Sequence, residues 1–322
     1  MAKMAGVSGA TVSYVLNNTK KVTPEVRAKV LKAAEKLGYK PNMVARSLVT
    51  KQTMHVALLV DNLTNPYYCQ IAEGVQSIAC EYGYLVSSLA VNVSNHASLL
   101  DLTSRGVDGI IFAVGSQDVR QYLREDIPTF FLWENEELSY KKAIFDMIHC
   151  LKEYGHERIA FLSSIPVSQP NHYRFIHFKE SLRQEGLTLY KDLVVDGKPF
   201  CDTDEKTGME LTHVLLSRKA PFTAVFAIND LMALGCFRQL RLNGYRIPED
   251  VSLVGCDGIP ITANTFPSLS TLDMKAYEVG RQMMKGLIHK MHPGWVDFQA
   301  NWKLEGEFVE RESVGRVASA KR

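Results

Sequence analysis

From His55 onward, short apolar runs alternate with longer amphipathic stretches, and this alternation restricts the fold more than any other feature of the chain. Strand-like runs fall at His55 to Val60, Leu85 to Leu89, Gly109 to Val114, Thr129 to Leu132, Ile159 to Leu162, Ala224 to Ile228 and Leu253 to Gly255. Between them lie helical patterns, including Tyr67 to Tyr82, Phe175 to Gln184, Asp230 to Leu242 and Tyr277 to Lys290. Strands separated by helices predict an α/β body with parallel sheets, because each crossover helix packs back onto the sheet it leaves. The length nears the upper limit of one core, so the body is expected to form two lobes. Ligands of such sheets bind at the carboxyl ends of the strands.

Residues 1–51 are different in charge and spacing. They hold ten Lys and Arg against Glu25 and Glu35, a net of +8, whereas the rest carries 27 basic against 33 acidic residues, a net of −6. The total of +2 hides a basic arm on an acidic body, the asymmetry of a phosphate-binding module carried by a soluble domain. Val12, Val15 and Leu16 form an apolar stripe at helical spacing, and Gly9, Ala10, Ser13, Tyr14 and Asn17 form a small, polar opposite face that suits a major groove. A second helix starts with Thr23 as cap and Pro24 at its first position, buries Val26, Val30, Ala33, Ala34 and Leu37, and stops at Gly38. Asn42 to Leu48 is too short to be a stable helix alone and reads as a hinge that forms when DNA or a partner chain supports it. The plain alternative is a helical cap with a solvated basic face; the combination of helix spacing, charge and hinge disfavours it.

Across Ala5 to Asn17, Thr23 to Pro41 and Asn42 to Leu48, and on to the C-terminus, the chain resembles transcriptional regulators of the lactose repressor family. The resemblance implies that the helix over Ser8 to Asn17 enters the major groove. Gly9, Ala10 and Tyr14 would then face base edges, while Ser8, Thr11, Ser13 and Asn17 meet phosphates or support the turn. Asn42, Ala45 and Arg46 would belong to the DNA-binding hinge, and Leu48 would wedge into the minor groove. Many members carry Arg where this chain has Tyr14, so the preferred operator is expected to differ. Only Met1 to Met4 precede Ala5, where the family's first helix normally begins several residues earlier, so the headpiece is expected to be incomplete.

The same resemblance points to an effector pocket. Arg174, Asn229 and Asp257 match its polar residues and offer donors and acceptors for sugar hydroxyls or a purine edge. Tyr67 and Tyr68, in the segment Asn65-Pro66-Tyr67-Tyr68, would stack on a ligand ring; Trp133 and Phe200 are weaker candidates. Each has a plainer reading: Asn229 and Asp257 as caps, Arg174 in a surface ion pair, the tyrosines as core. Between a strand near Ala143-Ile144-Phe145 and the helix leading to Tyr154, the chain is roughly six residues shorter than the family pattern, and roughly five are missing near Asn92 to Leu102. Asp146 is therefore not equated with the family's acidic ligand contact, and effector binding is expected to be altered.

Other chemistry is absent from the sequence. It has no phosphate-binding glycine motif and no nucleophile elbow. Its six cysteines include no Cys-x-x-Cys pair and read as buried free thiols of a reducing compartment. His289 and His292 are spaced for a metal but have no third ligand in view, which favours a solvated helix end. No run reaches membrane-spanning length and no signal peptide opens the chain. Phe308 to Ser313 resembles the family's last strand, and the tail beyond it lacks heptads, so a coiled-coil tetramer is not expected.

The expectation is a cytoplasmic, homodimeric transcription factor without cofactor or enzymatic activity. A helix-turn-helix headpiece (1–41), a hinge helix with linker (42–53) and a two-lobed effector and dimerisation body resembling periplasmic binding proteins (54–322) would act on a pseudo-palindromic double-stranded operator. The rival reading is a two-lobed sugar-binding protein without a DNA role, which has no use for a basic headpiece.

Overall fold

The computed structural model describes residues 1–17, 20–39, 47, 50, 52–91, 106–113, 125–132, 138–170, 172–197, 202–300, 302 and 304–317. Three helices open the chain: α1 (Ala2–Ala5), α2 (Gly9–Asn17) and α3 (Pro24–Lys36). Gly6 turns the chain between the first two at φ 66°, and the Ser8 hydroxyl accepts the Thr11 N–H at 3.1 Å, satisfying a free donor at the start of α2. Thr23 caps α3 by accepting from the Val26 N–H at 3.5 Å, and Pro24 follows at its first turn. Ala5, Val12, Val15, Val30 and Ala33 form one small core, flanked by Leu16 and Val26. Leu37 departs from the expected inward stripe and is 50% exposed. It is the C-cap, and the left-handed turn at Gly38 carries it off the helix face. Asn42, Ala45, Arg46 and Leu48 lie outside the described residues, as do Trp133, Phe200 and Asn92 to Leu102.

The first lobe has a parallel sheet in the order β2-β1-β3-β4, made of β1 (His55–Val60), β2 (Leu85–Ala90), β3 (Gly109–Ala113) and β4 (Thr129–Phe131). Both faces of its central strands are buried: Val56, Leu58, Val60 and Ile111 join the main core, while Ala57, Leu59, Ile110 and Phe112 join a second cluster. Helix α4 (Pro66–Glu81) crosses α9 (Ala276–Met291) on this lobe. The crossing is backbone-close. A Cβ on Gly74 would sit 2.0 Å from the Tyr277 carbonyl oxygen, and one on Gly280 2.1 Å from that of Ile71.

The second lobe contains β6 (Ile159–Ser163), β7 (Val194–Asp196), β8 (Ala224–Ala227), β9 (Ser252–Asp257), β10 (Ser270–Asp273) and β12 (Glu307–Val309), in the order β12-β10-β9-β8-β6-β7. Only the pairing of β12 with β10 is antiparallel among these strands. Its helices are α5 (Lys141–Glu153), α6 (Tyr173–Gln184), α7 (Glu205–Ser217) and α8 (Asp230–Leu242). The chain changes lobe between β4 and α5, returns between β10 and α9, and crosses again before β12; β5 (Leu138–Ser139) and β11 (Leu304–Glu305) pair in two of these crossings.

One expected strand is a helix. Ala143, Ile144, Met147, Ile148 and Leu151 are all fully buried, at i, i+1, i+4, i+5 and i+8, so the stretch read as a strand at Ala143 to Phe145 is the apolar face of α5.

The interlobe cleft and the basic headpiece

Asp257 ends β9 at the cleft, with its backbone at φ 124°, a conformation that L residues seldom adopt. An Arg174 guanidinium nitrogen lies 3.7 Å from its carboxylate, and the guanidinium stacks over the Tyr140 ring at 4.6 Å from the centroid. The Arg174 Nε is buried without a hydrogen-bond partner among the described residues. From the first lobe, Asn65 caps α4 by accepting from the Tyr67 N–H at 3.0 Å, and its side chain favours the ionised form of the Asp257 carboxyl. The Asp257 carboxyl is therefore influenced by side chains of both lobes.

Burial pushes the Asp257 carboxyl upward, while Arg174 pulls it down and Asp230 adds to the rise. Burial also raises the Tyr140 hydroxyl to about 12 and the Tyr67 hydroxyl well above its usual value, so both remain protonated and able to donate. Tyr67 is buried, with its ring edge-on to Tyr68 at 5.4 Å; the Tyr68 hydroxyl donates to Asp61 at 2.9 Å.

The structure thus gathers Tyr67, Tyr68, Arg174 and Asp257 at the facing ends of the two lobes. Asn229 stands at the end of β8, where its amide is held at both ends: its oxygen accepts from the Met232 N–H at 2.9 Å and its nitrogen donates to the Thr203 carbonyl at 2.8 Å. Its plainer reading as a helix cap describes this geometry. Asp146 lies away from the cleft on α5, in an exposed ion pair with Lys142.

Sequence reasoning did not single out Asn65, Tyr140 or Asp230. Asp230 is fully buried; one oxygen accepts from Thr271 Oγ1 at 2.6 Å and the other from the Ile259 N–H at 2.8 Å, which fixes the turn after Asp257. Burial raises its carboxyl to about 6 against these hydrogen bonds. Asn65 did carry a signal, since Asn followed by Pro is a cap and first-turn pair. Tyr140 and Thr271 carried none, because they reach the site through lobe crossing and strand pairing.

On the headpiece, Gly9, Ala10 and Ser13 are exposed, and Thr11 and Tyr14 are partly exposed, on the side of α2 away from Val12 and Val15. Lys20 lies over the Tyr14 ring at 4.9 Å, adding positive charge to that face. Asn17 is the last residue of α2.

The remaining chemical candidates are packing residues. His292 faces the Tyr84 hydroxyl at 2.8 Å and stacks on Trp295 at 4.0 Å; His289 rests near Phe298. No group of three or more His, Cys, Asp or Glu among the described residues could hold a metal. Cys236 and Cys256 are buried thiols as expected, but Cys69 and Cys80 are exposed on α4, which corrects the reading of uniformly buried cysteines. No described helix is long and apolar enough to cross a membrane.

A basic helix-turn-helix headpiece on a two-lobed parallel α/β body, with a polar cleft whose walls come from both lobes, defines a ligand-responsive DNA-binding regulator. Residues 1–42 match the bacterial regulatory proteins of the lacI family, and residues 148–314 match the periplasmic binding protein-like domain. The chain belongs to the lacI family. It is 31% identical over 312 residues to catabolite control protein A of Priestia megaterium, covering 92% of this chain and 93% of that protein. The fold resembles the transcriptional regulator CelR in its cellobiose complex, with TM-score 0.71 and 29% identity over 97% of this chain and 98% of the other. It also resembles the lac repressor bound to ONPG in its repressed state, with TM-score 0.79 and 25% identity over 97% of each chain. The protein is a transcriptional regulator, neither an enzyme nor a binding protein without a DNA role.

Proposed function

We propose that this regulator acts as a cytoplasmic homodimer on a pseudo-palindromic operator and is controlled by a sugar or sugar derivative bound between its lobes. The observation that carries the reading is the buried polar pair at the cleft: Arg174 lies 3.7 Å from Asp257 with its Nε unpartnered among the described residues, so a ligand that engages these groups from between the lobes changes how the lobes meet. The buried Tyr67 ring, the Arg174 fork and the two carboxylate oxygens are suited to a polyhydroxylated ring, which presents both apolar faces and hydroxyls. CelR, in its cellobiose complex, supplies a relative of similar fold with a sugar bound.

On the DNA side, Gly9, Ala10 and Tyr14 read base edges, Ser8, Thr11, Ser13 and Asn17 position the helix, and the hinge with Asn42, Ala45, Arg46 and Leu48 enters the minor groove. Residues 1–41, 42–53 and 54–322 serve as headpiece, hinge with linker, and effector and dimerisation body. Arg174→Ala and Asp257→Ala test the reading. Operator selected from random DNA should be bound by both variants within about threefold of the parent, while the thermal shift produced by the effector found in a sugar screen disappears. Variants that keep the full thermal shift would place the ligand elsewhere.

A further inference from the structure

Among the described residues, the segment that leaves the headpiece is fastened to the body at Thr53 and Met54, and a single side chain does most of the fastening. Asp108, just before β3, accepts from the Thr53 N–H and the Thr53 hydroxyl with one oxygen, both at 2.8 Å, and from the Met54 N–H with the other at 2.9 Å. The backbone completes the hold: the Asp108 N–H donates to the His55 carbonyl at 2.8 Å, and the Leu85 N–H donates to that of Met54 at 2.8 Å. Met54 itself sits at φ 54°, a left-handed kink that only such surrounding bonds keep in place. A Cβ on Gly106, at φ 79°, would come within 3.3 Å of the Thr53 side chain, so the clasp closes around the linker with little room. Thr53 and Met54 are the last residues before β1, and the basic arm of net charge +8 lies on their other side.

We infer that Asp108 is a positioning residue for operator binding: it fixes the direction in which the linker leaves the first lobe, and so sets the distance and angle between the two headpieces of a dimer. Its described hydrogen-bond partners, Thr53, Met54 and His55, are not cleft residues, and β1 has strand partners in β2 and β3 without it. A charged acceptor holding three donors is a strong anchor. Two arms on fixed take-off points find their half-sites at high effective concentration and only at one spacing; loosened arms lose affinity and tolerate other spacings. This rests on the two-fold reading proposed above.

The test uses the full chain and duplexes selected from random DNA by the parent, with that site, the same site lengthened by one base pair, and a single half-site. Asp108→Asn keeps the size and one acceptor, Asp108→Ala removes all, and Asp108→Glu restores the charge. Asp108→Ala is expected to lose about tenfold or more on the full site and little on the half-site, with a smaller preference for the parental spacing; Asp108→Asn falls between, and Asp108→Glu recovers part. A loss of folding alone would lower all three titrations together and leave the spacing ratio unchanged, which overturns the inference. A parent that binds full and half-sites alike refutes the two-fold reading instead. The clasp is then judged by hydrogen exchange, since the Thr53 and Met54 amides must lose protection in Asp108→Asn while Leu58 keeps its own; retained protection overturns it.

Discussion

His172 shows how one side chain ties local structure to the stability of the cleft. It caps α6 by accepting from the Phe175 N–H at 3.3 Å, and its other ring nitrogen meets the Ser163 hydroxyl at 2.8 Å. Burial first, and the nearby Arg174 charge second, lower its pKa to about 4. The unfolded chain takes up this proton near pH 6.5, so between pH 6.5 and 4 the unfolded state binds more protons and stability falls as the pH falls. The effect is at most about 3 kcal/mol, and above pH 6.5 it is absent. His172→Asn keeps a capping oxygen and removes the titration; urea midpoints at pH 7 and pH 5 should differ less in the variant than in the parent. An equal acid loss in both proteins would assign the effect to other groups. On α2, the partly exposed Tyr14 offers one hydroxyl where Arg would offer a bidentate fork. Tyr14→Arg is expected to move base preference toward guanine by about 1–3 kcal/mol at one pair of each half-site. Site selection from random DNA reads this directly, and an unchanged consensus would turn Tyr14 away from the bases.

Among elements, the α4–α9 crossing is the most demanding. Gly280→Ala places a methyl group on the Ile71 carbonyl, where the rigid backbone of α4 cannot step aside as a flexible side chain could. We expect a loss of about 3 kcal/mol, the upper end for overpacking, in denaturant unfolding. Gly244→Ala is a useful contrast, since its φ of 84° strains alanine but nothing lies within 4 Å; its cost should stay near 1 kcal/mol. Elements with strong periodicity were legible: β1 and α8 occupy the residues expected, because apolar runs and cap signals agree there. Three others were hidden. The strand β10 reads Ser-Thr-Leu-Asp, and its hydroxyls are buried only because Asp230 and Arg311 partner them. The helix α5 opens with Lys-Lys-Ala-Ile-Phe, whose short apolar run has no period of its own until Met147 and Leu151 extend it. At α7, the small residues Gly208 and Thr212 share the buried face with Leu215, so the apolar stripe is short and weakly announced.

For the molecule as a whole, the cleft is tuned by a side chain of the first lobe. Asn65→Ala removes the cap of α4, at a cost of about 1 kcal/mol, and with it the side chain that favours the ionised Asp257 carboxyl across the cleft. Asn65→Asp retains the cap and sets two carboxyls against each other. Both variants should open the cleft, seen as a larger radius of gyration by small-angle scattering, and Asn65→Asp should do so more strongly as the pH rises and both groups ionise. Equal radii in all three proteins would show that other contacts hold the lobes. The paired lobes followed from the sequence pattern, and Arg174 and Asp257 from the family resemblance; their engagement with Asn65 did not, since it depends on how closely two separately coded halves approach.

The interleaving of the lobes also governs how the protein is made. The sheet of the first lobe is encoded before residue 132, yet the helix covering its face, with Met283, Met284 and Leu287, is encoded after the second lobe's sheet is almost finished. A ribosome therefore releases Val56, Leu58 and Ile111 long before α9 exists, and the part of that apolar surface not covered by α4 waits through more than half of synthesis. The first lobe is not an independent unit of expression: a chain cut after β9 would keep α4 but lose α9 from the face of its sheet, so nonsense mutations late in the gene should yield an aggregating product rather than a headpiece tethered to one working lobe.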